Sequence, residues 1–159
     1  MAVLVRNVVI ADIPAVSRLL IETWHDTYDA LIGVSKVNEI TARWHAPQAL
    51  AQQLDTAGTC FLVAEADHAL AGHAYADARA LPRLRIARLY VLPTWQRQGI
   101  GHALLAALCQ RYSSANRLVL EVEADNAKGV AFYRREGFTE TGQMSEDGVR
   151  LLLMEKLLG

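Results

Sequence analysis

The chain has 159 residues, of which 52% are hydrophobic, and this is enough for one domain with a full hydrophobic core. Its 16 Lys and Arg against 17 Asp and Glu give a net charge of −1, which excludes the broad basic surface that attracts nucleic acid or anionic lipid. The N-terminal stretch MAVLVRNVVI is too short and too polar for a signal peptide, and no apolar run is long enough to span a membrane. We therefore expect a soluble, cytoplasmic protein.

The first part of the chain predicts one strand followed by helices. Residues 3–10 are typical of a strand, and Asp12 can cap the next helix, whose apolar residues recur at helical spacing up to a stop at Gly33. Two shorter helical patterns follow, one after Ser35 and one after Pro47. These short helices could form one wall of a pocket.

The middle of the chain predicts an antiparallel meander. TCFLVAEA and LAGHAYADA are typical of strands joined at Asp67 and His68. After Pro82, RLRIARLYVL is a third strand rich in branched apolar residues. The two cysteines, Cys60 and Cys109, lie in apolar segments without metal-ligand spacing, so we expect reduced thiols and no metal.

The last part alternates helices and strands. A helix from Ile100 to Tyr112 is followed by the strand RLVLEVEA and a second helix from Ala127 to Glu136. Two final strands are expected around Phe138 and Leu151, joined at an Asp-Gly turn. This order predicts an α/β (α+β) fold in one domain, residues 1–159, with a mixed, mostly antiparallel sheet of about six or seven strands flanked by about four or five helices.

The most informative stretch is LYVLPTWQRQGIGHALLAAL, in which an apolar strand leads through a turn directly into a helix. Two glycines let the backbone bend, so that successive N–H groups can converge on phosphate oxygens at the positive end of the helix. The guanidinium in this turn could add a contact to phosphate. A tight helix start is the simpler alternative, and a dinucleotide site is less favoured because GIG lacks the GxGxxG spacing. The candidate phosphate-binding residues are Arg97, Gln98, Gly99, Ile100, Gly101 and His102.

QRQGIG resembles the Q/RxxGxG/A signature of the GNAT superfamily of N-acetyltransferases, through Gln96, Gly99 and Gly101. LYVLP resembles the fourth strand of that family, and DNAKGVAFYRREGF resembles its later element with Asn126 and Tyr133. More loosely, the resemblance covers most of the chain. It implies a sheet splayed at the fourth and fifth strands, acetyl-CoA as acetyl donor, and direct attack by an amine in a ternary complex.

The resemblance also implies the cofactor contacts. The strand equivalent to Leu89, Tyr90 and Val91 pairs through its backbone with the pantetheine arm, while the glycine turn receives the pyrophosphate. A backbone N–H near Val91 could stabilise the developing oxyanion. Asn126 matches a cofactor-contacting asparagine of the family, although an asparagine at this place can also cap a helix.

Two tyrosines are candidates for the reaction. Tyr133 matches the tyrosine that protonates the departing thiolate in the family, and a phenol with an ordinary pKa of about 10 can donate at neutral pH. Packing of the helix against the sheet is the alternative role for Tyr133. Tyr28 lies in the first helix, where the family commonly shapes its acceptor pocket, and is the candidate for acceptor binding.

The general base is less defined. Arg85 stands at the strand position where many family members carry a glutamate. Glu121 resembles the glutamate base of enzymes that acetylate the N-terminal alanine of a ribosomal protein, and it could act through water. Because it lies on the polar face of its strand, a solvated side chain is the alternative. His25, Asp77 and His73, or a chain of waters, are further candidates.

The sequence thus predicts an N-acetyltransferase that acetylates a primary amine, with a small molecule as the leading acceptor. A protein N-terminus or lysine is the alternative acceptor, and a non-catalytic CoA-binding sensor is the alternative of another class. Homodimers are common in the family. The apolar C-terminal stretch LLLMEKLL could form such an interface or could be internal.

Overall fold

The computed structural model describes residues 2–159, and this part of the chain forms seven strands and five α-helices. The strands are β1 (Val3–Asn7), β2 (Thr59–Ala66), β3 (Ala69–Asp77), β4 (Arg83–Val91), β5 (Arg117–Glu123), β6 (Thr139–Glu146) and β7 (Val149–Leu157). The helices are α1 (Ile13–Ile32), α2 (Val34–Trp44), α3 (Pro47–Leu54), α4 (Ile100–Arg111) and α5 (Ala127–Arg135). Short 3-10 turns lie at Ile10–Asp12 and Pro93–Trp95.

The strands form one sheet in the order β1-β2-β3-β4-β5-β7-β6, in which only β4 and β5 are parallel. These two strands pair only between Arg83–Arg85 and Arg117–Val119. Beyond this segment β4 pairs with β3 alone, and β5 pairs with β7 alone. The predicted mixed, mostly antiparallel sheet with a splay at the fourth and fifth strands is confirmed.

A β-bulge in β4 lies directly after the segment that pairs with β5. The register with β3 shifts between two pairs, Ala76 with Ile86 and Tyr75 with Arg88, so that Ala87 is the additional residue. A bulge bends its strand and increases the local twist. The bulge therefore helps to turn the second half of β4 away from β5.

Two hydrophobic cores lie on opposite faces of the sheet. Helices α4 and α5 cover the larger one, which includes the fully buried Leu104 and Leu108. Helices α1 and α3 cover the smaller one, which includes Val16, Leu20 and Leu50. Each buried side chain of this kind contributes roughly 1.5–3 kcal/mol relative to an exposed one. The splay between β4 and β5 thus lies between two well-packed layers.

Two expectations for the N-terminal region are wrong in detail. The first strand ends at Asn7, before the 3-10 turn, rather than extending over residues 3–10. The carboxylate of Asp12 does not cap α1. It accepts a hydrogen bond from the N–H of Val9 at 2.8 Å and pairs with Arg6 at 2.8 Å. The side chain of Asp12 therefore pairs with Arg6 on β1 and does not bond to the first N–H groups of α1.

The C-terminal stretch LLLMEKLL is internal to the sheet, because β7 lies between β5 and β6. The strands at the two edges are β1 and β6. No helix within residues 2–159 is long and apolar enough to cross a membrane.

Candidate active site

A cavity of about 660 Å³ opens where β4 and β5 separate. Its lining comes from α1 on one face of the sheet and from the glycine turn, α4 and α5 on the other. The cavity therefore passes through the splay. Two molecules can approach each other in it from opposite faces of the sheet.

The glycine turn presents free backbone donors to this cavity. Arg97 has a φ of 63° and Gly99 a φ of 85°, so the chain passes twice through the left-handed region before α4 begins. Within residues 2–159, the N–H groups from Gly99 to His102 donate to no protein acceptor, and the first bonded one is that of Ala103, to Gly99 O at 3.0 Å. Four such donors at a helix N-terminus form a site for phosphate oxygens.

The two glycines are needed for different reasons. A Cβ atom at Gly101 would lie 2.8 Å from Cζ of Phe132, so the close contact of α4 and α5 leaves no room for a side chain there. At Gly99 a Cβ would meet nothing within 4 Å, and only the positive φ favours glycine. The side chain of Gln96 donates to Val91 O at 3.0 Å and ties the turn to the end of β4.

Several cationic side chains lie around the turn. Arg97, Lys128 and Arg135 line the cavity, and none of them forms an ion pair within the described part of the chain. His102 pairs through Nδ1 with Glu136 at 2.7 Å. Such charges complement the negative charges of a phosphorylated ligand.

Almost all predicted cofactor residues line the cavity. They are Leu89, Tyr90, Val91, Arg97, Gly99, Ile100, Gly101, His102 and Asn126. Gln98 does not, and its exposed side chain donates to Thr94 O at 3.2 Å. From Leu89 to Val91, β4 pairs with β3 on one side only, so its other edge is free for an extended ligand arm.

Tyr133 lines the cavity from α5 and is only 9% exposed. Its ring packs edge-on against Phe132 and Phe138, with centroid separations of 5.3 and 5.4 Å. Its hydroxyl makes no hydrogen bond within residues 2–159. Burial raises the pKa of Tyr133, and the nearby Tyr90 and Glu123 raise it further. The phenol is therefore protonated at neutral pH and free to donate.

Tyr28, Glu123 and Asn126 form a hydrogen-bonded group on the α1 side of the cavity. The hydroxyl of Tyr28 donates to Glu123 Oε2 at 2.5 Å, and Asn126 Nδ2 lies 3.5 Å from the same hydroxyl. Burial is the main cause of the raised pKa of Tyr28. Asn126 Oδ1 also accepts from the N–H of Gly129 at 3.0 Å, so Asn126 caps α5 as well.

The candidate bases predicted from the sequence differ in whether they line the cavity. Glu121 lines the cavity but its side chain is exposed on β5. His25, Asp77 and His73 do not line it. The guanidinium of Arg79 holds the pKa of Asp77 down to about 2, and burial lowers the pKa of His73 well below its usual value. Those two groups are therefore poorly suited to accept a proton from the reaction.

Sequence reasoning missed several charged residues of the cavity, among them Glu123 and Arg88. A signal for Glu123 exists, because side chains two apart on a strand share a face and Glu121 was already a candidate. Arg88 is one of several arginines in RLRIARLYVL, and nothing in that pattern separates it from the exposed ones. Asp26, Thr23 and Thr27 complete the α1 side of the lining.

Comparisons with known proteins agree with this geometry. The family model of the acetyltransferase (GNAT) domain matches residues 29–158. The PaiA N-acetyltransferase of Thermoplasma acidophilum, solved in complex with coenzyme A, has a TM-score of 0.88 and 22% identity, over 99% of this chain and 100% of that one. The ribosomal-protein-alanine N-acetyltransferase of Brucella melitensis has a TM-score of 0.66 and 24% identity, over 98% and 99%. A spermidine N-acetyltransferase SpeG chimera from Vibrio cholerae has a TM-score of 0.70 and 18% identity, over 99% of this chain and 96% of that one.

The chain belongs to the GNAT acetyltransferase family, and it is an acetyl-CoA-dependent N-acetyltransferase. By their names, two of the similar structures act on different acceptors, a ribosomal protein and spermidine. The fold therefore leaves the acceptor open. No group of three or more His, Cys, Asp or Glu side chains in residues 2–159 is placed to hold a metal ion.

Proposed function

We propose that the protein transfers the acetyl group of acetyl-CoA to a primary amine of a small molecule, by direct attack of the amine in a ternary complex. The observation that carries this proposal is the cavity that passes through the splay of β4 and β5. Donor and acceptor can enter it from opposite faces, so that their reacting atoms meet without an acyl-enzyme. Holding both reactants in this way supplies much of the acceleration.

The donor has a matching seat on the α4 side. The free N–H groups from Gly99 to His102 receive the pyrophosphate, with Arg97 as a cationic neighbour. The unpaired edge of β4 from Leu89 to Val91 pairs with the pantetheine arm. A donor bound in this way has its thioester at the splay, and Tyr133 lines the same cavity, which supports its role in the reaction.

Tyr133 acts as the general acid. The amine nitrogen attacks the acetyl carbonyl, the C–N bond forms, and the C–S bond breaks with its electron pair on sulfur. The phenol of Tyr133 gives its proton to this thiolate and regains one from solvent. A backbone N–H near Val91 stabilises the negative charge on the carbonyl oxygen during attack.

A carboxylate on β5 takes the proton that the amine loses. Glu121 is the proposed base, acting through water because its side chain is exposed at the cavity. Glu123 is the second candidate, favoured by its hydrogen bond to Tyr28 and by its proximity to Tyr133. Glu121→Gln and Glu123→Gln show which of the two carboxylates is the base. The variant that lacks the base should lose kcat at neutral pH and regain part of it at higher pH, because more of the amine is then already neutral.

A small acceptor is supported by what does not line the cavity. A peptide needs an open groove between α2–α3 and the final hairpin, yet no residue of α2, α3, β6 or β7 belongs to the lining. The volume of about 660 Å³ also includes the donor seat beside the glycine turn, so the space left for the acceptor beside α1 is smaller than this. This lining supports a small acceptor that binds beside α1.

The test is amine-dependent release of CoA thiol, with small amines and short peptides assayed at equal amine concentration. The proposal predicts a kcat/KM at least tenfold higher for the best small amine than for any peptide. Peptides that react faster than every small amine would instead support a protein acceptor. A reaction without amine measures simple hydrolysis and serves as the blank.

We further propose that residues 1–159 act as one acetyltransferase domain in the cytoplasm, and as a homodimer. Because β7 is internal to the sheet, LLLMEKLL cannot pair edge to edge with a second copy of the chain. Sedimentation equilibrium tests it, and a monomer mass at micromolar concentration would contradict the dimer.

A further inference from the structure

Arg88 lines the cavity and carries one hydrogen-bonding group without a partner within residues 2–159. Its guanidinium lies 4.6 Å from the ring centroid of Tyr75 and 5.4 Å from that of Phe61. Nη1 donates to Gln53 Oε1 at 2.6 Å, and Nε donates to His73 Nε2 at 3.2 Å. Nη2 is buried and has no hydrogen-bond partner within residues 2–159. The side chain is thus held firmly with one donor group left over.

Within residues 2–159 the charge of Arg88 has no counter-ion. All of its contacts are to neutral groups, namely two aromatic rings, an amide and an imidazole, and no carboxylate of the described chain pairs with it. Burial lowers the pKa of Arg88 to about 10, so it remains a cation at neutral pH. A buried charge without an opposite charge is unfavourable, because burial removes the water that would otherwise solvate it. A protein that keeps such a charge in its cavity is suited to bind an anion there.

Two neighbouring side chains also have unsatisfied buried nitrogens, Nε1 of Trp24 and Nδ1 of His45. Their rings are 5.3 Å apart, and the charge of Arg88 acts directly on His45. The nitrogens of Trp24 and Arg88 can only donate, and a neutral imidazole can present Nδ1–H as a donor. Neither Trp24 nor His45 lines the cavity, so Arg88 is the member of this group that a ligand in the cavity meets.

We infer that the acceptor is an amine that also bears a carboxylate, as an amino acid does, and that Arg88 binds this carboxylate. The inference rests on the proposed function, since it names the acceptor of the same site. Carboxylate is one of the anions that a guanidinium recognises by charge and geometry together. A polyamine is disfavoured, because a second ammonium would approach the charge of Arg88.

The position of Arg88 also sets where the amine lies. Arg88 and Tyr90 are two residues apart on β4 and project to the same face, about 7 Å from each other along the strand. Tyr90 in turn lies near Tyr28, Glu123 and Tyr133, at the point where the thioester arrives. A carboxylate bound at Arg88 therefore directs the amine of a short molecule toward the reacting centre.

The experiment compares three acceptors that share one amine, namely an amino acid, its carboxamide and its decarboxylated amine, over a panel of amino acids. The wild type is expected to prefer the carboxylate form of its best substrate by tenfold or more in kcat/KM. Arg88→Met is expected to lower kcat/KM for that amino acid by about tenfold to a hundredfold, mainly through KM, as for loss of a charged hydrogen bond. The decarboxylated amine should change by less than about threefold.

Arg85→Met is the matched control, because Arg85 lies on the same strand and is exposed outside the cavity. It should leave the preference intact. The acetyl-CoA dissociation constant of each variant, measured by calorimetry, shows whether the donor site is intact. If Arg88→Met fails to fold, Arg88→Lys takes its place, and a retained charge should preserve part of the preference.

Three results would overturn the inference. If the wild type uses the amino acid and the decarboxylated amine equally well, the inferred carboxylate site at Arg88 is wrong, whereas the proposed acetyltransferase function is unaffected. An Arg88→Met loss that is equal for both acceptors would reduce Arg88 to a packing role. No transfer to any amine by a protein that binds acetyl-CoA would overturn the proposed function and this inference with it.

Discussion

The phenol of Tyr133 gives the sharpest test of the mechanism, because Tyr133→Phe removes one oxygen and little else. The ring keeps its edge-on contacts with Phe132 and Phe138 at 5.3 and 5.4 Å. The hydroxyl has no partner within residues 2–159 whose hydrogen bond would be lost. The free energy of unfolding should therefore change by less than about 1 kcal/mol, and the acetyl-CoA dissociation constant by less than about threefold.

The rate, in contrast, should fall strongly. Proton transfer from a positioned side chain contributes about a hundredfold to ten-thousandfold, and we expect a loss of about a hundredfold in kcat because water can partly replace the phenol. The active form of Tyr133 is the protonated one, and burial raises its pKa. The wild-type rate should therefore not decline through this group at any pH up to 10, since deprotonation begins only above its ordinary value of about 10.

The assay is thiol release under saturating acetyl-CoA and acceptor from pH 6 to pH 10, with calorimetry and denaturant unfolding on the same preparations. Tyr133→Phe with a kcat within about threefold of wild type would refute the acid role. A large loss of stability would show that Tyr133 is mainly a packing residue, which is the alternative role predicted from the sequence.

Three further predictions concern the donor site and the buried histidine. Gly101→Ala should weaken acetyl-CoA binding and lower the free energy of unfolding by about 1–3 kcal/mol, because its Cβ would lie 2.8 Å from the facing aromatic ring. Gly99→Ala should lower the free energy of unfolding by only about 1–2 kcal/mol, because of the positive φ at this position. Variants that behave like the wild type in calorimetry and in unfolding would contradict both expectations. Arg135→Gln should weaken CoA binding severalfold at low salt, and Arg134→Gln, outside the cavity, should not; identical affinities would remove the arginine from the site. Burial lowers the pKa of His45 to about 4, so the unfolded chain binds a proton at this residue before the folded chain does as the pH falls. The free energy of unfolding should therefore drop by up to about 3 kcal/mol between pH 6.5 and pH 4. The drop should be smaller in His45→Phe.

The donor side of the site could be predicted from sequence because it is local. The strand, the turn and the helix that form it are one continuous stretch, and its chemistry lies in backbone N–H groups that glycine spacing reveals. Gly99 and Gly101 both stand where the turn needs them, one for its φ and one for space. The splay followed from the family resemblance, and the structure confirms it.

The acceptor side could not be predicted in the same way because its contacts join distant parts of the chain. Tyr28 and Glu123 are 95 positions apart, and Arg88 and Gln53 are 35 apart. Nothing in the local pattern of β5 distinguishes Glu123 from Glu121, since both are glutamates on the same strand face. Burial without a counter-ion, which makes Arg88 informative, exists only once α1 and β4 are packed together.

The failed cap at Asp12 illustrates the same limit on a smaller scale. A local pattern correctly placed the start of α1, but the side chain bonds to Arg6, which in turn contacts Glu65 on β2. The guanidinium of Arg6 donates to both carboxylate oxygens of Asp12, at 2.8 and 3.0 Å, and such doubly bonded ion pairs are among the stronger hydrogen-bonded arrangements. The carboxylate of Asp12 bonds to Arg6 because the pairing of β1 and β2 holds Arg6 in place. A short stretch of sequence does not reveal this strand pairing.

The most direct test of the central claim is a single preparation of the wild-type chain, titrated with acetyl-CoA and then supplied with the amine panel while CoA thiol and acetylated amine are both quantified. We expect saturable binding of acetyl-CoA and, for at least one small amine, one acetylated amine for every thiol released. A folded protein that binds no acetyl-CoA, or that binds it and acetylates no amine, would contradict it.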